Sequence, residues 1–99
     1  MSDLIIENPM AASLALPTKL VVTTAREELQ TLVEAVDGLT PGDPAVVDGA
    51  ALAHFDTSAL AVLLSLKRHC LAKGRRLEVR QLPQRLTGLA QLYGVAELV

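Results

Sequence analysis

One helix-forming segment that the rest of the chain has to cover constrains this sequence most. After Asp56-Thr57-Ser58, the residues Leu60, Leu63, Leu64, Lys67 and Leu71 fall in one row at helical spacing, with Ala59, Val62, Leu66 and Cys70 in the adjacent row. The two rows join into a wide apolar arc running to Lys73. Charge is held back to Lys67, Arg68 and Lys73 near the C-terminal end, where cations suit the helix dipole, and Gly74 closes the segment. The material that can cover the arc is aliphatic: 51% of the 99 residues are hydrophobic but only 2% aromatic, with one Phe, one Tyr and no Trp. Leu, Val and Ala in this proportion suit tightly packed helix-on-sheet layers and leave small-residue surface that another protein can approach closely.

The same arithmetic excludes several classes. A chain this short supports one domain, 1–99, with 1–12 expected as a loosely attached N-terminal strand or tail. Apolar content near the globular average with 20% charged residues argues against disorder. The longest uninterrupted apolar run, Ala59 to Leu64, is far below the roughly 20 residues of a membrane span, so no direct membrane insertion is expected. Phe55 and Tyr93 alone give little base stacking, and a formal charge of -2 disfavours a phosphate-backbone binder, so no nucleic acid is expected. A single cysteine, Cys70, forms no internal disulfide, and zinc-type spacing is missing. Met1-Ser2-Asp3-Leu4 is unlike a signal peptide, so the expected location is cytoplasmic.

Along the chain, Leu4-Ile5-Ile6 and Ser13 to Leu16 read as short strands, and Lys19 to Val22 as a strand end or the approach to a helix. Thr24 with Glu27 matches a capping box, and Leu29, Leu32, Val33 and Val36 make the stripe of a helix from about Ala25 to Asp37, stopped by Gly38. Ala45-Val46-Val47-Asp48 reads as a central strand. Arg76 to Arg80 alternates like a half-exposed strand. Pro83 opens a third helix whose buried stripe is Leu86, Leu89, Ala90 and Tyr93, ended by Gly94, and Val95 to Val99 makes one further turn. The order predicts an α/β fold with helices packed on a mixed sheet, the second and third helices side by side.

Asp56, Thr57 and Ser58 are all helix N-cap types at the start of the long helix. The free amides and positive dipole end there stabilise an acidic or phosphorylated group, so Thr57 and Ser58 are candidate phosphorylation sites. Plain capping is the competing reading. Beyond them, Ser58, Ala61, Ser65, Arg68 and Ala72 make a shallow small-residue face, matched on the third helix by Gln84, Thr87, Gly88 and Gln91. His69 and Cys70 do not make a nucleophile and base, because adjacent helix residues point about 100° apart. Cys70 is expected in the core. His54 reads as a loop histidine and Asp48 as structural, since no paired carboxylate, metal triad or phosphate loop accompanies them. Arg75, Arg76, Arg80 and Arg85 read as a basic cluster on a solvated face. No catalytic residue, metal site or cofactor is assigned; a small enzyme using Cys70 or His69 is the third-ranked reading.

Strand, Asp56-Thr57-Ser58, long helix, Gly/Arg turn, strand and a last helix reading Leu92-Tyr93-Gly94-Val95 resemble the STAS domain, the fold of the anti-sigma factor antagonists, over about Ser13 to Val99. Asp56-Thr57 and Leu92-Tyr93 look closest to the MlaB type, small STAS subunits of ABC transporters that move phospholipid between bacterial membranes. The family usually has Gly where this chain has Ala59, a departure that bears on the geometry of the loop. The resemblance implies a STAS fold and a non-enzymatic regulatory adaptor at the inner membrane through its complex. It makes an ABC transporter ATPase subunit the partner, contacted through Asp56, Thr57, Ser58, Ala61, Ser65 and more loosely Thr87, Gly88 and Gln91. The alternative it implies is an anti-sigma factor antagonist, with a serine kinase as partner and Thr57 or Ser58 as the phosphorylated residue.

Overall fold

The computed structural model describes residues 12–98, so the expected strand at Leu4-Ile5-Ile6 lies outside the described residues. In chain order the elements are β1 (Ala12–Ala15), β2 (Lys19–Leu20), α1 (Ala25–Asp37), β3 (Ala45–Asp48), β4 (His54–Phe55), α2 (Ser58–Ala72), β5 (Leu77–Arg80), α3 (Gln84–Leu92) and a closing 3₁₀ turn (Ala96–Leu98). Among the described residues the strands form a three-stranded sheet in the order β1-β3-β5 and a separate pair β2-β4, and each of these pairings is parallel. The short β4 was not expected: two residues carry no periodicity, and only pairing with Lys19 and Leu20 makes His54 and Phe55 a strand.

Register explains the layering. Across the sheet, Leu14, Val47 and Val79 stand in one row, while Ser13, Val46 and Glu78, then Ala15, Asp48 and Arg80, stand in rows of the opposite face. The first face is part of the core; the second is largely polar, with the Arg80 guanidinium bonded to Glu78. β3 is buried at Ala45, Val46 and Val47, as a central strand requires. Two right-handed crossovers moving in one direction, β1-α1-β3 and β3-α2-β5, place both helices on the same face of the sheet. There α1 and α2 pack on each other. The helix running along α2 is thus α1 rather than α3, contrary to the expected pairing, because the crossover topology outranks sequence proximity to the last helix.

The wide arc of α2 packs on α1 and β5 and enters the common core, burying Ala59, Leu60, Val62, Leu63, Leu66 and Cys70. Leu71 is the exception at 64% exposed. Helix α3 contributes Leu86 and Ala90 to the core, but Tyr93, expected in its buried stripe, is 60% exposed. The helix ends at Leu92, and the chain then turns at Gly94 (φ 71°), which takes Tyr93 off the helical stripe. The capping box at Thr24 does not form either. Thr24 is in the helical region (φ -110°, ψ -9°), and its hydroxyl turns back to accept from the Val21 amide at 3.1 Å and donate to the Val21 carbonyl at 3.2 Å.

Gly49, just after β3, is a point of close approach. A Cβ there would stand 2.9 Å from Leu82 Cδ2 and 3.3 Å from Leu82 Cα. Gln81, in the left-handed region at φ 57°, turns Leu82 onto it. Gly49→Ala is therefore expected to destabilise the fold by about 1–2 kcal/mol, through overpacking against backbone that cannot retreat. A thermal melt should show a fall of about 5–15 °C for a domain of this size.

Candidate functional site

The N-terminus of α2 is organised by Asp56. Its Oδ1 accepts from the Ser58 amide at 2.8 Å, and its Oδ2 accepts from the Val22 amide at 3.2 Å, across 34 residues of sequence. The Asp56 carbonyl takes the Ala59 amide at 3.0 Å, and the Thr57 carbonyl takes the Leu60 amide at 3.0 Å. Of the three residues of N-cap type, Asp56 is thus the one whose side chain does the capping. Thr57 stands at the cap position with no side-chain capping bond, exposed, its hydroxyl unengaged by any described residue. Ser58 is half-buried beneath it. Ala59, where the family usually has Gly, lies in the first helical turn with its Cβ fully buried in the core, so the loop accommodates it without distortion.

This changes the anion argument. Of the α2 amides expected to be free for a phosphate, that of Ser58 serves the Asp56 carboxylate and those of Ala59 and Leu60 serve the Asp56 and Thr57 carbonyls, and a phosphate on Thr57 would face the Asp56 charge. The Asp56 carboxyl is held below its ordinary value of 3.8, chiefly by the Ser58 amide, with further help from the Ser58 side chain and the Val22 amide against the cost of desolvation. A depressed carboxyl stabilises the fold above its unfolded value and loses that contribution as pH falls through the folded value. Asp37 behaves in the same sense, lowered first by its hydrogen bond with His69 Nε2 at 2.7 Å. Stability is therefore expected to drop as the pH is taken below about 4, where unfolded carboxylates protonate. Asp56→Asn should show a shallower acid loss in urea denaturation at a series of pH values.

Around Thr57, the structure brings together residues that the pattern did not single out. Val22, tethered to Asp56, is 71% exposed beside it. The turn at Val22–Thr24 runs into α1, and Ala25, Arg26 and Leu29 of α1 face Ala61, Val62 and Ser65 of α2 across a shallow groove of about 220 Å³. Ala61 and Ser65 therefore belong to the α1–α2 seam. Thr87 borders a different depression, with Val79, Leu82, Ala90 and Ala96, and Gly88 and Gln91 are exposed on α3. The link between the two regions is Arg85 of α3, whose guanidinium carbon sits 4.8 Å from the Phe55 ring centre, one residue before Asp56. Leu92 is 77% exposed at the far end of α3. Val22 read only as part of a strand end or helix approach; Leu92 belongs to the Leu92-Tyr93 pair that suggested the family.

The remaining candidates resolve into structural roles. The four arginines do not form one cluster: Arg75 is buried against loop carbonyls, Arg76 and Arg80 flank Glu78, and Arg85 stacks on Phe55. Asp48 Oδ1 accepts from the Ala50 amide at 2.8 Å and shapes the turn after β3. Cys70 is buried, which pushes its thiol up and away from nucleophilic chemistry. His54 is exposed on β4, and His69 is spent on Asp37. Among the described residues, no group of three His, Cys, Asp or Glu residues is placed to hold a metal ion, and no helix is long and apolar enough to cross a membrane.

The sequence matches the family model described as "Mlab, STAS domain" over residues 7–99. No curated protein matches the chain.

Proposed function

Because the chain belongs to the MlaB-type STAS domain family, whose members are regulatory or adaptor domains acting through protein–protein contact, we propose that it binds and regulates the ATPase subunit of an ABC transporter for phospholipid trafficking between bacterial membranes. The observation that carries this reading is Thr57: exposed, its hydroxyl without a hydrogen bond among the described residues, and presented at a corner that Asp56 ties to both α2 and the Val22 turn. A hydroxyl on a pre-ordered corner costs little entropy to engage. Val22 supplies an apolar contact at its side. Small residues at Ala61 and Ser65 admit a partner backbone along the groove with α1. Ser58 supports the corner from beneath, and Thr87, Gly88 and Gln91 extend the contact onto α3 beyond Arg85. The protein makes or breaks no bond in this reading; it acts in the cytoplasm, at the inner membrane through its complex.

The carboxylate at the α2 N-terminus favours contact over phosphorylation as the mode of control. Affinity purification of the chain from its native cells should yield an ABC-type ATPase in stoichiometric amount. Recovery of a serine kinase instead, with a stoichiometric phosphate on Thr57 or Ser58 by intact mass, would replace this reading with that of an anti-sigma factor antagonist.

A further inference from the structure

Most arginines of the described chain find a partner within it: Arg80 and Arg76 reach Glu78, Arg85 lies on Phe55, and Arg75 is held by carbonyls. Lys67 and Arg68 differ from these, as do Lys19, Arg26 and Lys73. Among the described residues, neither Lys67 nor Arg68 meets a carboxylate; the one side-chain contact is a long 3.5 Å bond from Arg68 to Ser65. They stand with Leu64 and Leu71 at i, i+3, i+4 and i+7 on α2 and line a groove of about 230 Å³. Leu71 is 64% exposed, whereas six other apolar residues of α2 are buried. This is a different flank of α2 from the one bearing Ala61 and Ser65 in the groove with α1.

The geometry points to a second docking surface here, for an acidic amphipathic segment of another protein, with an apolar side chain set between Leu64 and Leu71 and carboxylates on Lys67 and Arg68. Charge complementarity selects this occupant. A symmetric second copy would bring the same cations face to face. The acidic face of α1, with Glu27, Glu28 and Glu34, offers Gln30 and Thr31 but no apolar side chain for the groove. A bilayer surface requires projecting apolar residues, and Leu71 alone projects from this concavity. The inference is independent of the identity of the partner at Thr57.

The test is an NMR titration of the ¹⁵N-labelled full chain. The probe is a synthetic helical peptide of about four turns, with Leu at i and i+7 and Glu at i+3 and i+4. The amides of Leu64 to Leu71 should shift saturably. Lys67→Glu with Arg68→Glu, and separately Leu71→Ser, should each weaken binding about tenfold or more with the spectrum of the fold otherwise unchanged. Added salt should weaken it too. Absence of shifts, shifts centred elsewhere, or equal binding of a peptide with Lys in place of Glu would overturn the proposal. Stronger perturbation of the same amides by phosphatidylglycerol vesicles would overturn it in favour of a lipid surface.

Discussion

Arg75→Ala is expected to cost about 2–4 kcal/mol of stability, although arginine next to arginine in a Gly/Arg turn reads as surface. The Arg75 guanidinium donates to the carbonyls of Thr40 at 3.1 Å and Leu39 at 3.4 Å, and to that of Asp43. Those three residues form the connector between α1 and β3. One buried side chain therefore holds the loop that delivers β3 to the centre of the sheet. Truncation removes bonds from a charged donor and leaves the connector unpinned. Arg76, whose side chain is 84% exposed, is the internal control and should tolerate Ala within about 0.5 kcal/mol. Arg75→Lys should recover only part of the loss, because an ammonium donates from a single nitrogen, whereas the guanidinium reaches these carbonyls from two. Urea denaturation reads all three variants; equal midpoints for Arg75→Ala and Arg76→Ala would contradict the account.

Thr57→Glu is expected to weaken partner binding by about 100-fold or more while leaving the fold intact. The side chain is exposed, and an acid at the N-cap suits the helix dipole, so the thermal midpoint should stay close to that of the parent. At an interface the same carboxylate stands beside that of Asp56, which already holds the Ser58 and Val22 amides. Docking would then bury a second negative charge beside the first. Thr57→Ser keeps a hydroxyl at the same point and should bind nearly as the parent does. A melting temperature that falls sharply in Thr57→Glu would show that the residue is structural instead.

How much of this was legible follows from which signals are local. The helices at Ala25–Asp37 and Ser58–Ala72 and the central strand are visible in periodicity and in Gly and Pro punctuation, and the STAS fold in the family resemblance of the element order with Asp56-Thr57 and Leu92-Tyr93. The role of Asp56 was half legible: its type announced a cap, but the bond to Val22 joins residues 34 apart and exists only after folding. Tyr93 and Leu71 misled because they continue a helical stripe past the point where neighbouring elements cover it. Arg75 was unreadable, since nothing in its neighbours distinguishes a buried guanidinium from a solvated one. The pairing of α2 with α1 rather than α3 is a property of crossover topology, which single-helix patterns do not carry.

The central claim, a contact surface built around an exposed Thr57, is tested most directly by calorimetric titration. The purified chain and its Thr57→Ser and Thr57→Glu variants are titrated against the ABC transporter ATPase subunit. The account predicts saturable binding for the parent and for Thr57→Ser, and loss of measurable heat for Thr57→Glu with its melting curve preserved. Equal affinity of Thr57→Glu and the parent would contradict it and move the interface elsewhere on the molecule.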